Sequence, residues 1–410
     1  MTEYGPRPDP DKKGPRKDMK AMKKRVFLIV LDSFGIGEMP DASRFGDEGS
    51  NTLSAVSESP EFHCPTMTDL GLFRIDGVTP TAPNSEPRAV YARLTEASGG
   101  KDTTIGHWEI AGLITQDPMP TYPNGIPDEV LAELTARTGY EWLCNQPYSG
   151  TDVIRDYGRE HLKTRKLILY TSADSVMQIA AHEDLIPVEE LYRVCMIARE
   201  TLTTAWGGRH AVGRVIARPF AGEYPFARTS RRHDYSVAPP APTMLDTIRV
   251  AGMETIAVGK ITDIFAGQGI TETVRTPHNA AGMSATVEIA AREFAGLCFT
   301  NLVDFDMLYG HRNDRDGYAR ALTEFDTWLA DFLPQIGKDD LLIITADHGC
   351  DPSTPSTDHS REYTPLLMYS PALIPQDLGT RPTFADIAAT TLFWLGLPTD
   401  TVAGKSLLPL

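Results

Sequence analysis

Three aspartates and three histidines carry the chemistry most readily read from this chain: Asp32, Asp306, His311, Asp347, His348 and His359. Carboxylates and imidazoles in one set suit Mn, Zn, Fe or Co better than Ca or Cu(I). Six such groups are enough for two ions, each with coordination positions left open. Two neighbouring ions clamp both the attacking and the leaving oxygen of a phosphoryl group. Taken singly, each residue also has an ordinary structural explanation. Asp32 reads equally well as a helix N-cap, and His311 as a loop histidine with one hydrogen bond. Asp347-His348-Gly349 also suits a simple turn, and His359 an exposed surface.

These groups follow short aliphatic or β-branched runs: Val26–Leu31, Leu167–Tyr170, Thr255–Val258, Leu297–Val303, Leu341–Thr345 and Leu366–Tyr369. Such runs predict strands buried on both faces, as in parallel sheets. Asp32 follows the first run at once. Lys260 follows Thr255–Val258, Asp304 and Asp306 follow Leu297–Val303, and Asp347 and His348 follow Leu341–Thr345. In open α/β sheets, ligands bind beyond the carboxyl ends of strands. Four strands that each deliver charge to that edge are poorly explained by packing.

Between the runs, Tyr318, Leu322, Phe325, Leu329 and Phe332 are spaced to form one face of a helix. A second helix is expected from Thr383, with Asp386 as its capping-box partner, to a stop near Gly396 and Pro398. The alternation predicts an α/β fold with a mostly parallel sheet. Residues 118–239 read differently, with a strand candidate, a helical segment around Glu189–Thr203 and a basic run at Arg228–Arg232. The expected organisation is a disordered tail (1–24), a discontinuous core (25–117 and 240–410) and an inserted α/β cap (118–239).

The chain has 410 residues, a net charge of -16 and a pI near 5.1. Such an acidic chain repels nucleic acid. It would also repel a sugar phosphate unless bound cations reverse the field locally. Five cysteines without a C-x-x-C pair predict a reduced, cytoplasmic setting. The longest apolar run near the start, Val26–Leu31, is too short for a membrane span or a signal segment. No obligate protein partner is indicated.

Longer motifs carry a resemblance. Thr345-Ala346-Asp347-His348-Gly349 resembles the metal motif of the alkaline phosphatase superfamily. His359 is similar to that motif's later ligand, and Asp32 to its first carboxylate. The phosphopentomutases of that superfamily are resembled more closely still. The opening segment Val30-Leu31-Asp32-Ser33-Phe34-Gly35-Ile36-Gly37 and the nucleophile segment Gly100-Lys101-Asp102-Thr103-Thr104-Ile105-Gly106-His107-Trp108-Glu109 carry this likeness. So do Tyr170-Thr171-Ser172-Ala173-Asp174-Ser175, Arg232-His233-Asp234-Tyr235 and Asn301-Leu302-Val303-Asp304-Phe305-Asp306. The resemblance runs from Lys24 to the C-terminus.

It implies an alkaline phosphatase-like core with helices on both faces of the sheet and a smaller inserted cap. It implies one metal at Asp32, Asp347 and His348, shared with the nucleophile, and a second at Asp306, His311 and His359. The five-residue step to His311 favours Asp306 over Asp304. Both ions are expected to be Mn2+. Thr103 is implied as the nucleophile, activated by metal coordination. Residue chemistry alone leaves Thr104 open, and equally leaves open Asp102 or Thr103 as a mere helix cap. Arg214, Arg228 and Lys260 are implied as contacts to the phosphate remote from the metals, and Asp174 as a substrate contact.

The activity so implied interconverts ribose 1-phosphate and ribose 5-phosphate, with their deoxyribose equivalents. It proceeds through a phosphothreonine enzyme and a bisphosphorylated sugar, and a bisphosphorylated hexose activator would prime the unphosphorylated enzyme. The alternatives are a metal-dependent phosphomonoesterase, a phosphoglycerate mutase of the same superfamily, or a non-catalytic sugar-phosphate binding protein. The phosphoglycerate mutases use serine where this chain has Thr103.

Overall fold

The computed structural model describes residues 24–79, 86–172 and 174–409. Apart from Lys24, the expected tail lies outside the described residues. The chain lays down β1 (Arg25–Leu31) and β2 (Val90–Leu94), then leaves to build a separate sheet. That sheet comprises β3 (Trp142–Pro147), β4 (Leu167–Thr171), β5 (Val176–His182), β6 (Arg214–Ala221), β7 (Ala227–Arg228) and β8 (His233–Ser236). The chain then returns with β9 (Glu254–Val258), β10 (Glu272–Val274), β11 (Gly296–Leu302), β12 (Asp340–Thr345), β13 (Thr364–Tyr369) and β14 (Asp377–Arg381). The larger sheet has the order β10-β9-β11-β1-β12-β13-β2-β14; the smaller runs β3-β4-β5-β6-β7, with β8 also paired to β6.

From β10 to β12 the larger sheet is parallel. The six strands expected from the sequence are all present, but two are not simply parallel. Leu366–Tyr369 lies in β13, which runs antiparallel to both β12 and β2. Leu167–Tyr170 lies in β4, parallel to β3 and antiparallel to β5. A run buried on both faces looks the same in either direction, so its composition does not fix its sense.

Alternation along β1 explains its unbroken apolar run. Phe27, Ile29 and Leu31 enter one hydrophobic cluster, and Val26, Leu28 and Val30 enter another on the opposite face. The first face is covered by the helix Arg315–Phe332, whose Tyr318, Leu322, Phe325, Leu329 and Phe332 are all buried in that cluster. The second face receives Trp108 and Ile110 from the helix Thr103–Ile110, and Ile387 and Leu392 from Asp386–Leu395. Helices therefore cover both faces. Each fully buried large apolar side chain contributes about 1.5–3 kcal/mol. The smaller sheet repeats the pattern, with Leu167 and Leu169 in one cluster and Ile168 and Tyr170 in another. Its helix Val188–Thr204 contains the expected segment.

The helix expected from Thr383 begins instead at Asp386 and ends at Gly396, where the chain turns left-handed. No capping box forms. Thr383 Oγ1 donates to Glu109, and Asp386 accepts from Arg381 and from the Lys405 amide. Thr383 Oγ1 still accepts the Ala385 amide at 3.0 Å, but Asp386 is engaged by Arg381 and Lys405 and does not reach back to complete the box. Among the described residues no helix is long and apolar enough to cross a membrane.

Candidate active site

Because β9, β11, β1 and β12 are parallel neighbours, their carboxyl ends open on one edge. Lys260, Asp306, Asp32 and the pair Asp347-His348 emerge there. Asp32, Asp347 and His348 form a fully buried group. His348 Nε2 lies 3.3 Å from Asp347 Oδ2 and 3.6 Å from Asp32 Oδ1. Asp32 Oδ1 has no hydrogen-bond partner in the described structure, and the polar neighbours of Asp347 Oδ2 are the rings of His348 and His107. Beside them, His359 Nε2 lies 3.3 Å from Asp306 Oδ1, and His311 Nε2 lies 3.4 Å from Asp306 Oδ2. The two Nε2 atoms are 3.2 Å apart.

Tautomers follow from the opposite ring nitrogens. His348 Nδ1 faces the Gly349 carbonyl at 3.0 Å, His311 Nδ1 that of Thr357 at 2.7 Å, and His359 Nδ1 that of Lys101 at 3.1 Å. Carbonyls only accept, so each Nδ1 carries a proton, which leaves Nε2 as the atom each ring would offer to a metal once that nitrogen is unprotonated. Carboxylate oxygens and ring nitrogens this close together need protons or a metal cation among them. The donor set therefore fits divalent metal.

The groups of the cluster ionise differently. Burial and the charges of Asp347 and Asp306 push the Asp32 carboxyl up to about 7. Burial likewise raises Asp347, but His348, His107 and the Ser33 amide outweigh it and hold that carboxyl at about 2. Burial drives His348 down to about 4. It also lowers His359, but Asp306 overcomes this and raises the ring to about 9. Asp304 takes no part in the cluster. Its carboxylate accepts the Asn279 amide at 2.7 Å, and its own amide donates to Asn279 Oδ1 at 2.9 Å.

Thr103 is the first residue of its helix. The capping role falls to Asp102, whose Oδ1 accepts the amides of Thr104 and Ile105 at 3.1 Å each. That leaves the Thr103 hydroxyl for other contacts, and its Oγ1 lies 3.2 Å from His348 Nε2. The amino-terminal end of a helix favours an anion.

The expected substrate contacts are more dispersed. Arg214 lies 3.8 Å from Asp174 and 3.5 Å from Asp234, which also receives two hydrogen bonds from Arg232. Arg228 is exposed on β7 and donates to the Gly150 carbonyl at 3.2 Å. The Lys260 ammonium makes no hydrogen bond or ion pair to another described residue, but its charge acts on Asp32. The short helix Ile261–Ile264 that follows it packs against β8 of the smaller sheet. Among the described residues, no hydrogen bond or ion pair joins Arg214 or Arg228 to the six Asp and His groups.

Several residues that shape the site were not singled out from the sequence. His107 Nδ1 lies 2.8 Å from the Thr103 carbonyl and 3.1 Å from Asp347 Oδ2. Asn301 Nδ2 donates to Asp32 Oδ2 at 2.9 Å. Buried Arg361 donates to Glu96 Oε2 and the Gly100 carbonyl at 2.5 Å each, and pairs with Asp41 at 3.2 Å. Glu109 holds the amides of Ala97 and Ser98 at 2.8 and 2.6 Å. Glu362 accepts from Gly37, Thr52 and Ser360, and a Cβ on Gly35 or Gly349 would collide with it. His107, Asn301 and Glu109 lay inside the quoted motifs, which was the available signal. Arg361 and Glu362 follow closely on His359.

Known proteins match this chain over most of its length. A family model described as the metalloenzyme superfamily matches residues 24–399. The phosphopentomutase of Lachnoclostridium phytofermentans is 59% identical over 389 residues, which is 94% of this chain and 98% of that protein. The phosphopentomutase of Caldanaerobacter subterraneus is 56% identical over 371 residues, or 90% and 93% of the two chains. Among solved structures, a Leishmania mexicana phosphoglycerate mutase is similar at 13% identity and a TM-score of 0.48, covering 96% of this chain and 98% of that one.

Proposed function

This chain belongs to the phosphopentomutase family of the metalloenzyme superfamily and binds divalent metal; from that premise we propose how its residues interconvert ribose 1-phosphate and ribose 5-phosphate. The deoxyribose phosphates are taken as well. The observation that carries the mechanism is the Thr103 hydroxyl, 3.2 Å from His348 Nε2 on a helix already capped by Asp102. Asp32, Asp347 and His348 hold one ion and Asp306, His311 and His359 the other. When bound, these ions, Mn2+ in this reading, neutralise phosphoryl oxygens and lower the pKa of the threonine hydroxyl.

Thr103 carries the phosphate between the two ends of the sugar. Phosphothreonine donates its phosphoryl group to the free hydroxyl of the bound monophosphate, giving a bisphosphorylated sugar. Thr103 then takes the phosphoryl group from the other end and is restored to phosphothreonine. The helix start offers the transferred group backbone N–H dipoles. Asp102 and His107 keep Thr103 in place through the amides and carbonyl of the same turn. A bisphosphorylated hexose activator would prime a molecule whose threonine has lost its phosphate.

The far phosphate needs its own cations, because the protein is acidic overall. Arg214 and Arg228 offer planar forks suited to phosphate oxygens. Lys260 offers a charge from the core side, and Asp174 contacts the sugar. Residues 118–239 act as a cap over the core formed by 25–117 and 240–410. Closure brings Arg214 and Arg228 toward the carboxyl edge of the larger sheet and keeps water from the phosphothreonine. Opening lets the bisphosphate turn or rebind. The reaction is assigned to the cytoplasm.

Incubation of the purified, Mn2+-supplemented protein with ribose 5-phosphate tests this reading. Isomerisation to ribose 1-phosphate with little free phosphate is the expected outcome. Stoichiometric release of phosphate without isomer would identify a phosphatase instead.

A further inference from the structure

The cluster around Asp306 contains one more donor. Cys350 follows Asp347-His348-Gly349, and its Sγ lies with one ligand atom each of Asp306 and His311, all within 4.8 Å of one another. The residue is buried, at 1% exposure. Its thiol donates a hydrogen bond to the Asp358 carbonyl at 3.5 Å, which a bound ion would replace. Gly310 backs it so closely that a Cβ there would lie 3.0 Å from Sγ. The neighbouring Asp306 side chain is 5% exposed, and its Oδ1 has no hydrogen-bond partner. The thiol therefore stands beside an unsatisfied buried carboxylate and an inward-facing imidazole, as a metal ligand would.

Resting on the assignment of Asp306, His311 and His359 to one ion, we propose that Cys350 is an additional ligand at that site, engaged by thiophilic ions such as Co2+, Zn2+ or Cd2+. Sulfur is a soft donor, and Mn2+ favours oxygen and nitrogen. Coordination replaces the S–H bond with a metal–sulfur bond and releases one proton to solvent. No electrons are exchanged. The consequence is a site that works with Mn2+ but retains softer ions more tightly than an Asp/His set alone.

Co2+ titration of the full chain, read by absorbance and by bound-metal content, tests this. Visible bands report Co2+ in the Asp/His sites, and a near-ultraviolet sulfur-to-cobalt charge-transfer band reports Cys350. The wild type should show both. Cys350→Ser should lose the near-ultraviolet band while keeping visible bands and metal content, with circular dichroism confirming its fold; Cys350→Ala serves if the serine variant misfolds. Visible bands that depend on His359 without a near-ultraviolet band in the wild type would overturn the Cys350 assignment and leave the Asp/His site standing. A near-ultraviolet band that survives in Cys350→Ser would also overturn it. Visible bands and metal content unchanged in His359→Ala would overturn the underlying site and the proposal together.

Discussion

Thr103 Oγ1 and His348 Nε2 lie 3.2 Å apart, joining the helix that follows β2 to the loop that follows β12. Neither residue sets this distance alone. The segment before Thr103 is held by Arg361, which spans Glu96, the Gly100 carbonyl and Asp41 from two residues beyond His359. One buried guanidinium thus ties the segment before Thr103 to the loop that carries His359. Removing it would leave Glu96 buried without its partner.

Arg361→Ala should therefore lose about 3–5 kcal/mol of stability. Chemical denaturation of the metal-loaded protein measures this. A loss below about 1 kcal/mol, the scale of a surface pair, would show that the buried network does not hold the loop.

His359→Ala tests the division of ligands between the two ions. The variant should bind one equivalent of Mn2+ fewer than the wild type, remain folded by circular dichroism, and lose nearly all mutase activity. Exhaustive chelation of the wild type should abolish activity, and Mn2+ should restore it. Unchanged metal content in His359→Ala would place the second ion elsewhere.

Arg228 is exposed and its contact with Gly150 is a single hydrogen bond, so the fold makes little use of it. A charged hydrogen bond to the far phosphate contributes about 1.5–3 kcal/mol, or about ten- to a hundred-fold in rate. Arg228→Ala should lower kcat/KM for ribose 5-phosphate by that factor. Hydrolysis of a small phosphate ester with no second phosphate should change little. An equal fall in both activities would assign Arg228 to the chemical step.

Glu362 links stability to pH. Burial raises its carboxyl to about 7 from an ordinary value of 4.5, despite hydrogen bonds from Ser360, Thr52 and Gly37 that favour ionisation. The folded state therefore holds a proton that the unfolded chain has already released. The stabilisation is complete below pH 4.5 and is lost as pH rises through 7, an effect on the order of 3 kcal/mol at most. Glu362→Gln should show a smaller fall in unfolding free energy between pH 4.5 and 8 than the wild type. Equal slopes would mean that Glu362 does not titrate in that window.

The parts of this molecule legible in its sequence are those whose cause is local or repetitive. Six strands could be read from apolar runs, and the helix Arg315–Phe332 from its period, because burial on both faces or on one stripe leaves a pattern in consecutive residues. The direction of β13 and the strands β5 and β6 could not. Val176–His182 and Arg214–Ala221 are interrupted by Gln178 and Arg218, which pair with each other across the sheet at 3.1 Å. Asp32, Asp306, Asp347 and His348 could be read because each comes soon after a strand or sits in a long motif, and His311 and His359 because their spacing from Asp306 and Asp347 resembles the family pattern. His107, Asn301, Arg361 and Glu362 act through contacts to residues distant in the chain, as in the 265 positions between Glu96 and Arg361. Nothing in their immediate sequence marks those partners. The capping box expected at Thr383 failed for the same reason, since Asp386 is taken by the Lys405 amide and Arg381.

The central claim is that Thr103 carries the transferred phosphate, and peptide mapping by mass spectrometry tests it most directly. The protein should be incubated with a bisphosphorylated sugar, quenched and digested, alongside Thr103→Ala. The account predicts a phosphoryl group on Thr103 in the wild type. It predicts no phosphopeptide and no mutase turnover in Thr103→Ala, with sugar-phosphate binding retained. A phosphoryl group on Thr104, or mutase turnover that survives in Thr103→Ala, would contradict it.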